Sequence, residues 1–229
     1  MKRGQAQRLE KETQRRLIEA GMLLFGLHGL EATSTRALAM EAGVNLAAIP
    51  YHFGGKKGLY LAVLEHIVRI KLAEIGPCLD RVLAACAERS TGREVLVGHL
   101  REMTRVLVVA MLGNPESRAC SQIMMQEQIA PTAGFDVFHE TFLLRIHAAW
   151  SALLHRFTGL PLGSMELRLR TISIMGQMFI FRVGMPSLLK LVESDRLPDG
   201  YLEAITDICI QQAEALVAGF APVCSGANA

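Results

Sequence analysis

Residues 34–60 read STRALAMEAGVNLAAIPYHFGGKKGLY, and they hold two helix signals with almost nothing between them. Ser34 is a residue type that caps helix N-termini, Leu38, Ala39 and Ala42 then fall on one face, and Gly43 is a helix stop. Only Val44 intervenes before Asn45, a second cap, so another short helix begins at once. Two short helices joined by a tight glycine turn cannot lie antiparallel; they cross at a large angle, as in a helix-turn-helix. Val44, Ile49 and Phe53 are the predicted anchors of the second helix.

Working outward, Leu17, Ala20, Gly21, Leu24, Phe25 and His28 keep the spacing of one helix face from Thr13 until Gly29 breaks it. This helix covers the apolar backs of the other two. Downstream, Leu59, Ala62, Val63, Ile67 and Ile70 predict a connecting helix to about Glu74, closed by Gly76 and Pro77. Further helices are predicted over 78–89, 92–112, 115–130, 134–158, 165–183 and 201–220, separated by GNPES, APTAG, TGLPLGS, GMPS and RLPDG. No alternating strand and no internal repeat is visible. The expected fold class is all-α: a three-helix helix-turn-helix domain over 1–58, a helical bundle over 59–220 and a flexible tail over 221–229.

Of the 229 residues, 51% are hydrophobic and 20% charged, so much apolar surface must be hidden in a core or against a partner. The opening MKRGQAQRLEKETQRR lacks the apolar run of a secretory signal. The longest apolar run, 106–112, is short of the roughly 20 residues that span a bilayer. These features predict a cytoplasmic protein without membrane partners. The five cysteines are scattered with no C-x-x-C pair, which argues against a disulfide framework and against zinc. His139, His147 and His155 recur every eight residues and drift about 80° around a helix at each step, so they share no metal on one face. Neither metal nor cofactor is expected. No nucleophile elbow, P-loop or H-E-x-x-H motif is present, and the reading is a protein that is not an enzyme.

Net charge is only +2, yet residues 1–75 hold eleven Lys or Arg against seven Asp or Glu, a surplus of four. A positive end on a nearly neutral chain points to a polyanion at that end. In the short second helix, Leu46, Ala47 and Ala48 are small or apolar, which lets backbone approach a DNA groove and methyl groups touch thymine methyls. Pro50 lacks the amide that would pair with the Leu46 carbonyl, and a 3-10 start absorbs part of that cost. Tyr51, His52 and Lys56 are phosphate-binding types, and Arg36 is the best donor for a guanine edge, with Thr35 and Asn45 as lesser contributors.

From about Thr13 to Ile70 these features together resemble the DNA-binding signature of the TetR family of transcriptional regulators: a cap, a first-turn arginine, A..AGV, an aromatic Y.F and a lysine opening the next helix. The wording NLAAIPYHFGGKKGLY is most similar to the CecR-like branch. The resemblance implies DNA contacts at Thr35, Arg36, Leu46, Ala47, Ala48, Pro50, Tyr51, His52 and Lys56. It departs at Leu46, where the family often has a polar residue, and at Pro50, where it often has tyrosine.

The resemblance also implies a bundle that dimerises and binds a small effector. From the residues themselves, 165–183 carries Ile172, Met175 and Phe179 on one stripe and Ile174, Met178 and Phe181 on another, while 201–220 has Leu202, Ile205, Cys209 and Leu216 opposite Ile208 and Ala215. Two such helices per protomer predict a four-helix dimer interface. Candidate effector contacts are the flexible, apolar Met103, Leu107, Met111, Met125, Trp150, Met175 and Met178. His99, Gln122, Gln126, Gln177 and Arg182 are the candidate polar contacts. The expected function is a homodimeric repressor on a palindromic DNA operator, released by a small, mostly apolar effector. A thiol-based redox sensor using Cys78, Cys86 or Cys120 is the alternative.

Overall fold

A computed structural model describes residues 2–196 and 198–219, and every regular element among them is helical. The elements are α1 (Lys2–Ala32), α2 (Thr35–Ala42), α3 (Ala48–Phe53), α4 (Lys56–Ala87), α5 (Arg93–Leu112) and α6 (Pro115–Ile129), then α7 (Phe135–Phe138), α8 (Leu144–Thr158), α9 (Met165–Val183), α10 (Met185–Leu191) and α11 (Tyr201–Ala218). The fold is all-α, as the periodicity predicts. The tail assigned to 221–229 lies outside the described residues.

The chain forms two compact units, one of residues up to Leu72 with Pro115–Phe142, the other of Ala73–Asn114 with the residues from Leu143 on. In the first, α1 packs on α2, α3 and α6. Leu17, Phe25, Leu38, Ile49, Leu59 and Leu64 are fully buried there, and Phe25 meets the Tyr60 ring edge-on at 5.0 Å. A Cβ on Gly21 would stand 2.6 Å from Val63 Cγ2, so glycine is what lets α1 approach α4 this closely. The predicted break at Gly29 is a left-handed residue, φ 77°, inside the last stretch of α1. At the other end α1 starts well before Thr13. No apolar stripe marks those residues; good helix formers and the Arg15 pairs with Glu12 and Glu19, both 2.5 Å, support that stretch.

The second unit is built on α5 packed along α11, and on α8 packed along α9. Leu100, Met103, Trp150, Leu153 and Leu154 fill its core. Arg156 donates to the carbonyls of Cys86 (2.9 Å), Glu88 (2.8 Å) and Thr91 (2.8 Å), closing the end of α4.

Three expectations are corrected. The helix expected to stop at Gly76-Pro77 runs on to Ala87. Pro77 is exposed, so its ring points away, while Ile75, Cys78, Leu79 and Val82 are buried; that burial outweighs the roughly 3 kcal/mol of an interior proline. The GMPS punctuation is itself helical as α10, because Pro186 stands in the first turn where no amide is needed. The single helix predicted over 134–158 is interrupted by a π-helical turn at His139–Leu143.

Candidate nucleic-acid interface

The hydroxyl of Ser34 accepts from the amide of Ala37 at 3.1 Å and starts α2. Gly43, left-handed at φ 59°, ends it: its amide reaches Met40 O and that of Val44 reaches Ala39 O, each at 3.0 Å. The chain is thereby turned within two residues. Asn45 Oδ1 accepts from the Ala47 amide at 2.8 Å, so Asn45 acts on the turn backbone.

Two short-range bonds, Ala48 N to Asn45 O (2.9 Å) and Ile49 N to Leu46 O (3.3 Å), then wind the approach to α3 as a 3-10 turn. Pro50 is the third residue of α3. The first amides of a helix have no intrahelical acceptor, so a proline there loses no bond, and Leu46 O is already taken by Ile49 N. Of the three predicted anchors, Ile49 is fully buried, while Val44 and Phe53 are half-buried.

Ile49 turns inward and leaves the opposite face of α3 to solvent. Arg36, Asn45, Leu46, Ala47 and Pro50 are exposed, Thr35, Ala48 and His52 are half-buried, and Tyr51 is 74% exposed. Leu46, Ala47 and Ala48 place no long side chain on the approach to α3. The Tyr51 hydroxyl donates to Glu10 Oε1 at a long 3.4 Å, and its ring stands edge-on to His52 at 4.7 Å.

Gly54 and Gly55, at φ 71° and 125°, link α3 to α4 in backbone conformations that side chains rarely adopt. Lys56 opens α4, and its ammonium donates to Leu30 O at 2.8 Å and Glu31 O at 3.2 Å; Lys57 beside it is exposed. A Cβ on Gly58 would overlap Phe53 O, so this glycine sets how tightly α4 returns against α3. Neither Gly58 nor the carbonyl role of Lys56 was legible beforehand. Both depend on backbone atoms brought close by folding, which side-chain patterning does not report.

The candidate effector residues divide between the units. Met103, Met111, Trp150, Met175 and Met178 are buried in the second unit, with Leu107, His99, Gln177 and Arg182 half-buried there. Trp150 Nε1 and Gln177 Oε1 are buried atoms with no hydrogen-bond partner among the described residues. His99 Nδ1 lies 3.8 Å from Glu102, which also pairs with Arg81 at 2.5 Å. In the first unit Gln126 Nε2 donates to Gly26 O at 3.4 Å, while Gln122 and Met125 are half-buried on α6. Of the spaced histidines, His139 stacks on Phe135 and His155 bonds to Leu160 O at 2.7 Å. No single helix among the described residues is long and apolar enough to cross a membrane.

Residues 17–63 match the family described as bacterial regulatory proteins, tetR family, and residues 96–220 match the C-terminal domain of the HTH-type transcriptional dual regulator CecR. The HTH-type transcriptional dual regulator CecR of Shigella flexneri is 29% identical to this chain over 183 residues, 78% of this chain and 79% of its own length. Among solved structures, a transcriptional regulator from Rhodococcus sp. Rha1 shares the fold at TM-score 0.59 and 22% identity, covering 88% of this chain and 96% of its own. The hemolysin II transcriptional regulator HlyIIR does so at TM-score 0.57 and 22% identity, over 87% and 97%. A short helix packed on α1 and α2 within residues that match the tetR family, followed by residues 96–220 that match the CecR C-terminal domain over more than half of the chain, places this protein in the TetR family of DNA-binding transcriptional regulators, in its CecR branch.

Proposed function

We propose that this chain is a cytoplasmic homodimeric repressor, without enzymatic activity, that grips a palindromic operator and lets go when a small, mostly apolar effector enters its helical bundle. The observation that carries the reading is the solvent-facing side of α3, where small residues bare the helix while Ile49 holds it from behind. Residues 1–58 then form the reading domain and 59–220 the effector and dimerisation domain.

Arg36 reads a base edge, Leu46, Ala47 and Ala48 lie against the groove, and Thr35, Tyr51, His52, Lys56 and the amides opening α4 hold phosphates. Pairing of two chains is supported by α9. Leu167, Thr171, Ile174, Met175 and Met178 are buried, whereas Met165, Leu169, Ile172, Ile180 and Val183 line an exposed apolar stripe at steps of three and four around Gly176. Ile208 on α11 is exposed as well. A dimer on a palindrome meets half-sites about 34 Å apart, one DNA turn, or a multiple of it.

Effector binding is supported by Trp150 Nε1 and Gln177 Oε1, because buried polar atoms without partners are rare in proteins and suit a ligand with one acceptor and one donor. Release follows if the effector favours a conformation in which the two reading helices are wrongly spaced; equal affinity for both states would produce no switch. The redox alternative gains nothing from the site. Burial first, then the charge of Glu102, pushes the Cys78 thiol up to about 11, and burial raises Cys86 and Cys209 too, so these sulfurs are poor nucleophiles at neutral pH. Cys120 is buried, and Cys224 lies outside the described residues.

The test is selection of bound sequences from a random DNA pool, followed by a screen for compounds that release the chain. A two-fold symmetric site whose affinity falls with salt is the expected result. Recovery of no preferred sequence, or of an asymmetric one bound by a single chain, overturns the reading. Arg36→Ala should relax preference at one base pair by about 1–3 kcal/mol.

A further inference from the structure

We propose that Tyr60, Glu127 and Thr132 form a polar latch that fixes the reading head on α6, which makes Glu127 a positioning residue for operator recognition; this rests on the dimeric operator reading above.

Glu127 is fully buried, yet the bonds to its carboxylate come from neutral donors: Tyr60 Oη at 2.6 Å, Thr132 Oγ1 at 2.8 Å and the Thr132 amide at 3.1 Å. Thr132 Oγ1 in turn accepts from the Gly134 amide at 3.1 Å. Burying a carboxylate against neutral partners costs more than burying an apolar pair of the same volume. Cohesion alone would therefore be better served by leucine and phenylalanine. What the polar arrangement adds is direction, since each bond tolerates little rotation. Burial, and next the bond to Glu127, hold the Tyr60 phenol well above its usual range, so the ring stays a donor.

The location decides what is being directed. Tyr60 follows Lys56 by one helical turn in α4 and stands just past the Gly54-Gly55 link that carries α3. Its ring packs on Phe25 of α1, a helix that packs on α3, so the latch joins α4 and α6 beside that brace. Tyr60, Thr132 and Gly134 also line a cleft of about 300 Å³ together with Leu30, Glu31 and Lys57, so one side of the latch opens toward the surface. α6 also packs on α1 through buried Cys120, Ile123 and Met124, and the hydrogen bonds of Glu127 add direction to that apolar contact at the end of α6. The Gln126 bond to Gly26 O is longer, 3.4 Å, and the Lys71 bond to Ser117, 2.9 Å, lies at the far end of α6.

A palindrome is read by two heads at a fixed separation, so a head free to rock on α6 would accept half-sites at other spacings. The experiment uses the full-length dimer, its selected operator, versions with one base pair added or removed between half-sites, and unrelated DNA. Wild type should bind the altered spacings about ten-fold or more weaker. Glu127→Gln and Tyr60→Phe should each lower operator affinity several-fold and shrink that spacing penalty to about three-fold or less, with binding to unrelated DNA unchanged. Tyr60→Phe keeps the ring on Phe25, so it remains folded even if Glu127→Gln does not. The double variant should be no worse than the weaker single one. Folded variants that retain the full spacing penalty overturn the latch and leave the operator reading standing. A wild type indifferent to spacing overturns the dimeric reading and the latch with it.

Discussion

The Lys56 ammonium lies 2.8 Å from the carbonyl oxygen of Leu30 and 3.2 Å from that of Glu31, so the first residue of α4 closes the end of α1. Carbonyls at a helix C-terminus carry partial negative charge and lack intrahelical partners. Lys56 therefore has a structural duty besides the phosphate contact proposed for it, while exposed Lys57 makes no such bond among the described residues. Lys56→Ala should lower stability by about 1–2 kcal/mol and flatten the salt dependence of DNA binding by about one unit. Lys57→Ala should flatten the salt slope with stability intact. Denaturant melts beside affinities at several salt concentrations check both; an unaltered melt for Lys56→Ala refutes its bracing role.

Pro50 and Gly58 reverse the usual expectation for their residue types. Because Pro50 occupies the first turn of α3, Pro50→Ala should change stability by less than about 1 kcal/mol, far from the roughly 3 kcal/mol recovered on relieving an interior proline. Gly58→Ala, ordinarily favourable within a helix, should destabilise by about 1–3 kcal/mol because its methyl group meets Phe53 O. Urea unfolding of both variants decides the matter, and a stabilised Gly58→Ala would show that α3 and α4 separate without penalty.

The apolar stripe of α9 predicts which residues join two chains. Ile172 and Ile180 are 57% and 58% exposed in one chain, so charging them should leave that chain folded. Ile172→Glu with Ile180→Glu should give a helical monomer by light scattering at micromolar concentration and abolish binding to a two-half-site operator. A dimer that survives the double change would move the interface off α9.

The thiol of Cys78, pushed up to about 11 chiefly by burial, should react slowly with iodoacetamide at pH 8 in the folded chain and quickly in urea. An elevated folded value means that the protonated thiol favours folding. The contribution is complete below the unfolded cysteine range, near 8.5, and fades as pH climbs through about 11. Cys78→Ala should therefore flatten the loss of stability over that alkaline interval. Rapid alkylation of the folded chain at pH 8 would show that the sulfur is accessible and would revive a redox role.

Much of this architecture is written in local patterns. Ser34, Gly43 and Asn45 announce their turns because capping and left-handed backbone depend on the residue itself and one or two neighbours. On α11, buried Ile205 and Cys209 lie opposite exposed Ile208, where side-chain periodicity puts them, whereas the α9 stripe expected to hold both Ile172 and Met175 is split, with Ile172 exposed and Met175 buried, because which side of that helix is covered depends on its neighbours in space. The extent of α4 was not legible. Proline and glycine at 77 and 76 are local stop signals, overridden by apolar residues on both sides whose burial depends on partners elsewhere in the chain.

The sequence alone therefore determines the class of this protein, the place of its short second helix and the positive character of its leading residues, since each follows from composition or from spacing within a few turns of chain. Only the tertiary structure decides that Lys56 braces α1, that Gly58 lies against Phe53 O and that Glu127 meets Tyr60, 67 positions apart. Those relationships join atoms remote in the chain or belonging to the backbone. Their energy depends on distance and direction in space, and neither quantity is encoded in the periodicity of side chains.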